Sequence, residues 1–266
     1  MSNVYVGGQG EEALTGGRRG ISGSTVKLVG IITMFIDHLA AAVLGRIVLR
    51  ILMTDGRTDQ FYDIYSIYSV MRTVGRLGFP IFCFLLVEGF EKTRSRAKYA
   101  LRLGMFALIS EIPFDLAFTA TILEFGYQNV YFTLFLGMLA LCAYDFLQKH
   151  KLPTVVKWLL CGVALFLFMW LADFQQTDYS GMGVLTITVI YIFRRYKVLA
   201  MAGGCVVLTI MNLNEISAFL TLIPIAGYNG KRGLKLKYFF YAFYPVHLLL
   251  LWLVTWFMGT SSIPVF

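Results

Sequence analysis

The sequence predicts an all-α polytopic membrane helical bundle of about nine transmembrane helices, with eight to ten possible and the N-terminus cytosolic. Of the 266 residues, 58% are hydrophobic and only 14% are charged, whereas a soluble domain carries about 25% charged residues. Long apolar segments recur along the chain, and lysine and arginine are concentrated in alternate stretches between them. These observations exclude a soluble globular protein.

Two regions are expected. Residues 1–25 are polar and rich in glycine, which predicts a short flexible cytosolic tail. Residues 26–266 form a single transmembrane domain, because the apolar segments occupy nearly all of this stretch. We expect no cleavable signal peptide, since the first apolar run begins too late and is too long for one.

The spans are predicted from apolar length, because a membrane-crossing helix needs about 20 predominantly apolar residues. The sixth to eighth segments are short, and no internal repeat is visible. The predicted spans are 26–48, 66–90, 99–120, 129–148, 155–173, 180–194, 198–213, 216–229 and 237–259.

The distribution of charge orients these spans. With a cytosolic N-terminus, most of the 23 basic residues fall in cytosolic stretches. This bias favours an odd number of spans with an outer C-terminus, and it accounts for the net charge of +8 without a nucleic-acid partner. The basic residues of the outer stretches are Arg46, Arg50 and Arg57. The acidic residues of the outer loops include Glu124, Asp173, Asp178 and Glu215.

The four cysteines lie singly in apolar segments and form no CxxC or CxxH pattern. We therefore expect neither a disulfide framework nor a structural metal site. They are Cys83, Cys142, Cys161 and Cys205.

Two adjacent ionisable residues, Asp37 and His38, lie in the middle of the first apolar segment. Placing an ionisable side chain at this depth of the bilayer costs several kcal/mol of free energy unless the side chain faces a bundle interior or water. At about 1.5 Å per helical residue, Asp37, Glu111 and His247 all lie roughly 15 Å from the cytosolic edge. We therefore expect a functional site inside the membrane, with packing roles for these residues as the alternative.

Two arginines in the second predicted span and two carboxylates in the third are candidates for pairing. Arg72 and Arg76 are one helical turn apart in the second span, and Glu111 and Asp115 are spaced in the same way in the third. Opposed charges would neutralise each other and reduce the cost of insertion. We expect Arg76 to meet Glu111 or Asp115, with a purely structural interhelical clamp as the alternative.

Several sequence blocks resemble the TraX family of integral membrane proteins, in family order over nearly the whole chain after residue 25. They are MFIDH at 34–38, GRLGFPIFCFLLVEGF at 75–90, KYALRLGMFALISEIPFDLAF at 98–118, NVYFTLFLG at 129–137, DYSGMGVL at 178–185, YNGKRG at 228–233 and KYFFYAFYPVHLLLLW at 237–252. The family's founding member is associated with N-terminal acetylation of a conjugative pilin. The family is also similar to the wider group of transmembrane acyltransferases, many of which carry a functional histidine in the first membrane helix.

The resemblance implies an acetyltransferase that uses acetyl-CoA as donor. The acceptor is an amine or hydroxyl, such as a peptide N-terminus or a glycan-like group, and a pilin acceptor does not follow automatically. His38 occupies a place comparable to the family group's histidine, and we expect it to act as general base.

The other buried groups receive roles in acetyl transfer. Arg76 is expected to stabilise negative charge in the transition state. Asp37 points about 100° away from His38 on the helix, so it could pair with Arg76 or with His247. The remaining carboxylates, Glu111 and Asp115, would hold the arginine or help to bind an ammonium-bearing acceptor.

Coenzyme A carries a 3′-phosphate and a pyrophosphate, which cations and closely approaching backbone N–H groups bind. The YNGKRG block and a basic loop after the second span are on the expected cytosolic side. The candidate donor-binding residues are Arg94, Arg102, Tyr228, Asn229, Gly230, Lys231 and Arg232.

Two other functions stay open. Mid-membrane Asp, Glu and His also form proton relays, so a proton-coupled small-molecule transporter is the alternative, although the paired repeats common in transporters are not visible. A non-catalytic membrane subunit, with buried charges that only pair helices, is the third. In each case we expect a multi-pass protein of the bacterial inner membrane, surrounded by lipid, with a homo-oligomer possible.

Overall fold

The computed structural model describes residues 20–234 and 237–265. Residues 1–19, which make up most of the predicted tail, lie outside the described residues. The described part is helical, without a β-strand. Its α-helices are α1 (Gly23–Leu39), α2 (Gly45–Thr54), α3 (Asp59–Gly75), α4 (Gly78–Lys92), α5 (Arg96–Phe118), α6 (Val130–Lys149), α7 (Thr154–Phe174), α8 (Ser180–Ile192), α9 (Lys197–Met211), α10 (Leu222–Ala226) and α11 (Lys237–Phe257). A π-helical turn, Ala40–Leu44, joins α1 to α2, and a 3₁₀ helix, Leu213–Thr221, precedes α10.

Five helical stretches of the described chain are long and apolar enough to cross a membrane. This confirms the predicted fold class, an all-α membrane helical bundle. The five stretches are Gly23–Thr54, Asp59–Lys92, Val130–Lys149, Thr154–Phe174 and Phe239–Phe257. Three shorter apolar helices accompany them: Ser180–Ile192, Lys197–Met211 and Leu213–Ala226.

The second predicted span, 66–90, is two helices rather than one. The first of these helices begins at Asp59, before the predicted start of the span. The Thr58 side chain caps it by accepting a hydrogen bond from the Phe61 N–H. The helical pattern is then interrupted between Gly75 and Gly78. Glycine is a poor helix former, and the interruption lies beside the ionisable groups of the site described below.

The predicted sixth and seventh spans are the short helices α8 and α9, with 13 and 15 residues. Their lengths of about 20 and 22 Å are well below the roughly 30 Å of a bilayer's hydrocarbon core. The segments that follow α7 and α9 therefore reach inward instead of staying at the outer edge. Glu215, which the sequence analysis assigns to an outer loop, is only 1% exposed and lies with its side chain inside the bundle.

Arg46 was also expected in an outer stretch, but its side chain is fully buried. Its guanidinium donates hydrogen bonds to the carbonyl oxygens of Ala42, Ala117 and Ile263, at 2.8, 2.5 and 2.8 Å. The residue therefore ties the π-helical turn to the end of α5 and to the C-terminal segment.

Candidate functional site

Two histidines from opposite ends of the sequence meet in the bundle interior. Nδ1 of His38 in α1 lies 2.7 Å from Nε2 of His247 in α11. The rings are nearly parallel, with centroids 5.0 Å apart, and His247 is only 2% exposed. The sequence predicted both residues as candidates at one depth but did not predict that they bond to each other.

The neighbouring carbonyl group determines which histidine nitrogen carries a proton. Nδ1 of His247 lies 2.7 Å from the carbonyl oxygen of Phe243. A carbonyl only accepts, so Nδ1 of His247 is protonated and Nε2 of the neutral ring is an acceptor. Nδ1 of His38 therefore donates to His247, and the free lone pair of His38 is on Nε2. This is the arrangement that a general base requires.

Local helix irregularities lie beside both histidines. The π-helical turn begins two residues after His38, and such turns occur frequently at functional sites. Pro245 lies inside α11, two residues before His247, and proline supplies no backbone N–H to the helix. The Tyr244 ring lies between these elements, with its centroid 5.8 Å from that of His38 and 5.6 Å from that of His247.

Asp37, the neighbour of His38, forms an ion pair with Arg72 rather than with Arg76 or His247. The distance between Oδ2 of Asp37 and Nη1 of Arg72 is 2.7 Å. Gly75 makes this contact possible, because a Cβ atom at that position would lie 2.1 Å from Oδ1 of Asp37. Helices α1 and α3 therefore approach closely where the acid and the arginine meet.

Arg76 forms a second ion pair, with Nη1 2.7 Å from Oε1 of Glu215. The Arg76 guanidinium also interacts electrostatically with the Tyr179 side chain. Tyr179 has a left-handed backbone, with φ at +64°, and its ring stacks on Phe79 with centroids 3.7 Å apart. A non-glycine residue in this conformation is strained and is often found at functional sites.

Asp178 precedes that tyrosine in the segment between α7 and α8. The Tyr127 hydroxyl donates to its carboxylate at 2.8 Å. Burial raises the pKa of Asp178 to about 6, against the opposing effects of the Tyr127 hydrogen bond and of the positive charges of Arg72 and Arg76. The carboxylate therefore belongs to the same electrostatic cluster as the two ion pairs.

Glu111 and Asp115 do not meet the arginines, so the expected pairing with Arg76 is wrong. The side-chain amide of Asn129 donates to Glu111, and the backbone N–H of Glu124 donates to Asp115 at 2.8 Å. The physical reason is that the inward-reaching Glu215 satisfies Arg76 instead. Buried oxygen atoms without a hydrogen-bond partner among the described residues include Asp37 Oδ1, Glu111 Oε1, Asp115 Oδ1 and the Tyr244 hydroxyl.

The sequence predictions thus divide into three outcomes. The structure brings together His38, His247, Asp37 and Arg76 in one region, with Glu111 and Asp115 beside it. Their chemical roles stay predictions. Sequence reasoning missed Glu215, Asp178, Tyr127, Tyr179 and Tyr244 as site residues. The matching block DYSGMGVL contained a signal for two of them, Asp178 and Tyr179, whereas the short length of α9 was the only signal for Glu215.

The YNGKRG segment lies at the opposite end of the bundle. Lys92 donates to the carbonyl oxygen of Gly230 at 3.0 Å, and the Tyr228 hydroxyl donates to Glu88 at 2.9 Å. Gly230 has φ at +78°, which favours glycine. A cavity of about 380 Å³ lies next to this segment; it is lined by Phe84, Val87, Glu88, Glu91, Lys92, Ile190, Arg194, Arg195 and Lys197.

The candidate donor-binding residues therefore fall in three parts of the chain. Tyr228 to Arg232 lie beside the start of α1, where Gly23 donates its N–H to the Lys231 carbonyl at 2.7 Å. Arg102 lies on α5, against the Tyr99 ring at 5.5 Å. Arg94 is exposed. Among the described residues, no group of three or more His, Cys, Asp or Glu side chains is arranged to hold a metal ion.

These features define an all-helical membrane protein with a buried histidine pair and a cluster of ion pairs in its interior. The family model described as TraX protein matches residues 22–255. The chain therefore belongs to the TraX protein family.

Two other proteins are similar in sequence to this chain. The chain is 30% identical over 248 residues to a protein of Dichelobacter nodosus described as "Probable fimbrial assembly protein FimC, serogroup H1", covering 85% of this chain and 92% of that one. It is 21% identical over 166 residues to an uncharacterized protein of Rickettsia prowazekii (strain Madrid E), covering 62% and 61%. No solved structure matches.

Proposed function

We propose that this protein is an integral-membrane acetyltransferase that moves an acetyl group from acetyl-CoA to an amine or hydroxyl acceptor. The observation that carries the proposal is the His38–His247 pair, in which the 2.7 Å contact leaves the lone pair on Nε2 of His38. Membership of a family whose founding member is associated with pilin acetylation supports it.

The proposed reaction is a direct acyl transfer. Nε2 of His38 takes a proton from the acceptor N–H or O–H while the acceptor atom forms a bond to the thioester carbonyl carbon. The carbonyl π electrons move to oxygen, and Arg76 is the predicted group that stabilises this negative charge. When the tetrahedral intermediate collapses, the C–S bond breaks and the thiolate of CoA takes the proton from the His38 imidazolium. The enzyme is then restored.

The second histidine stabilises the charged state of the first. When His38 becomes an imidazolium, its Nδ1–H still donates to Nε2 of His247, which shares the positive charge by a charge-assisted hydrogen bond. His247 in turn is held by the Phe243 carbonyl. In this proposal His247 is a positioning residue, and His38 is the residue that reacts.

An amine acceptor arrives as an ammonium ion and must lose one proton before it can attack. The buried oxygens of Glu111 and Asp115 that have no hydrogen-bond partner among the described residues suit an ammonium group, since carboxylates bind cations by charge-assisted hydrogen bonds. One of these carboxylates would take that first proton. The name of the Dichelobacter relative refers to fimbrial assembly, which favours the N-terminus of a pilin-like peptide as acceptor.

The same proposal places the basic loops and the donor in the cytosol of a bacterial cell, with the protein in the inner membrane. Acetyl-CoA then enters from the cytosolic side, and the carboxylates of Glu111 and Asp115 lie toward the outer side.

Acetyl-CoA turnover by the purified protein tests the proposal. The protein in detergent or nanodiscs should release free CoA thiol from acetyl-CoA when a peptide with a free N-terminus is supplied, and the peptide should gain one acetyl group by mass spectrometry. A blocked peptide with an acetylated N-terminus is the control. A protein that neither binds nor consumes acetyl-CoA would be a transporter or a structural subunit instead.

A further inference from the structure

We propose that the cavity of about 380 Å³ beside the YNGKRG segment binds the nucleotide end of the acetyl donor, and that Arg195 and Lys197 hold its phosphates. The inference rests on the proposed acetyltransferase function. Neither residue is among the candidate donor-binding residues that the sequence predicted.

The cavity lies between the C-terminal half of α4 and the turn that joins α8 to α9. Part of its wall is apolar, because Phe84, Val87 and Ile190 are all buried. A pocket of a few hundred Å³ with apolar walls and a few charged groups is typical of small-molecule sites. Apolar walls suit an adenine ring, and cations suit phosphates. The charged residues of the lining are Glu88, Glu91, Lys92, Arg194, Arg195 and Lys197.

The two acidic residues of the cavity are already paired. Glu88 accepts from Lys92 at 2.7 Å and from the Tyr228 hydroxyl at 2.9 Å. Glu91 pairs with Arg194 at 3.3 Å. Each carboxylate is therefore matched by one cation of the same lining, and its charge does not cancel that of the remaining cations.

Those remaining cations are Arg195 and Lys197, which take part in no ion pair among the described residues. Nζ of Lys197 lies 4.6 Å from the centre of the Tyr228 ring and 3.4 Å from the Tyr228 carbonyl oxygen. These contacts hold the lysine at the cavity without neutralising its charge. Two such cations in one cavity create a positive potential that a bound anion relieves.

The first turn of α9 adds to this potential. The helix begins at Lys197, and no side chain caps it. The first N–H groups of a helix have no partner within the helix, and together with the helix dipole they attract anions. A phosphate beside Arg195 and Lys197 would therefore meet cations and a helix N-terminus at the same end of the cavity.

The cavity lies at a suitable level for the donor. Helices α1 and α4 pack in opposite directions, and a Cβ added at Gly78 would lie 3.5 Å from Met34. Phe84 is six residues beyond Gly78, and His38 is four residues beyond Met34 in the other direction, so their levels differ by about 15 Å. The pantetheine arm between the diphosphate and the thioester is about as long as five extended residues, or roughly 17 Å. One donor molecule is long enough to join the two levels.

Binding of CoA and of adenosine 3′,5′-bisphosphate tests the site. With the protein in phosphatidylcholine nanodiscs, Arg195→Ala and Lys197→Met should each raise the Kd for both probes by about tenfold, the usual effect of losing one charge-assisted hydrogen bond. Methionine keeps much of the bulk of Lys197. Pantetheine, which lacks the nucleotide and its phosphates, should bind the wild type and both variants equally. Lys151→Ala, which changes an exposed lysine, is the matched control and should bind CoA as the wild type does.

Two results would overturn the site while leaving the acetyltransferase proposal intact. One is a wild type that binds CoA together with Arg195→Ala and Lys197→Met variants that bind it equally well. The other is unchanged CoA binding with a loss of copurifying anionic lipid in the variants, which would assign the cavity to lipid headgroups. A wild-type protein that neither binds CoA nor consumes acetyl-CoA would overturn both proposals.

Discussion

Nδ1 of His38 donates a hydrogen bond to Nε2 of His247, and the Phe243 carbonyl fixes this direction because it keeps Nδ1 of His247 protonated. Asp37, although adjacent in sequence, plays no part in this choice because it points to Arg72. The sequence predicted that Asp37 points away from His38 and pairs with Arg76 or His247. The helix geometry shows two separate pairs instead, an ion pair and a histidine pair, on different faces of α1.

Asp178 gives a pH-dependent prediction at the residue scale. Its pKa in the folded protein, about 6, is above the unfolded value of about 3.9. A carboxyl group whose pKa is raised by folding contributes stability at low pH that is lost as the pH rises through the folded pKa. Asp178→Asn should therefore raise the melting temperature relative to wild type by a few degrees at pH 8.

The same comparison at pH 4 is the control, because both proteins are then uncharged at this position and should melt at similar temperatures. The Tyr127 hydroxyl can donate to the asparagine oxygen, so the local hydrogen bond is kept. A destabilised Asp178→Asn protein at pH 8 would show that the carboxylate is held mainly by Arg72 and Arg76 in its charged form.

At the scale of helices, the contact between α1 and α3 depends on Gly75. An added Cβ would lie 2.1 Å from Oδ1 of Asp37, so Gly75→Ala must push the helices apart and break the Asp37–Arg72 ion pair. Overpacking of this kind costs typically 1–3 kcal/mol. We expect a lower melting temperature in detergent and a loss of acetyl transfer.

Gly162→Ala in α7 is the matched control, because no atom lies within 4 Å of a Cβ added there. Alanine is the better helix former by about 1 kcal/mol, so this variant should be as stable as wild type or slightly more so. Equal melting temperatures for the Gly75 and Gly162 variants would contradict the close-approach account.

The long helices were predictable from sequence, whereas the short ones were misjudged. Apolar runs such as those of α6 and α7 have nearly the length of a membrane span, so length alone identified them. Helices α8 and α9 are equally apolar but shorter. Composition does not reveal that a segment ends inside the bundle. The position at which it ends depends on partners such as Arg76, and these are brought to it only by folding.

At the scale of the whole molecule, Arg46 joins three distant segments through backbone carbonyl groups. Replacement by methionine keeps much of the bulk but leaves those carbonyl oxygens without the donor. A lost hydrogen bond to a charged group costs about 1.5–3 kcal/mol, so Arg46→Met should lower the melting temperature clearly. Arg50→Ala, at an exposed position of the same helix, should change stability by no more than about 0.5 kcal/mol.

Residue counting could predict the level at which the candidate site lies along the helices, but not which of its residues pair with each other. Counting residues from the basic loops placed Asp37, Glu111 and His247 at one level, because helical rise is constant. Which acid meets which arginine depends on helix rotation and on segments that reach inward, and neither is visible in composition. For this reason Glu215 replaced Glu111 and Asp115 as the partner of Arg76.

Acetyl transfer by His38→Ala tests the central claim most directly. The variant should still insert and bind acetyl-CoA, since a general base acts in the chemical step, but its turnover should fall by at least about 10²-fold. His150→Ala, which changes an exposed histidine, is the control and should keep wild-type turnover. A correctly folded His38→Ala protein that acetylates its acceptor at a near-normal rate would contradict the account.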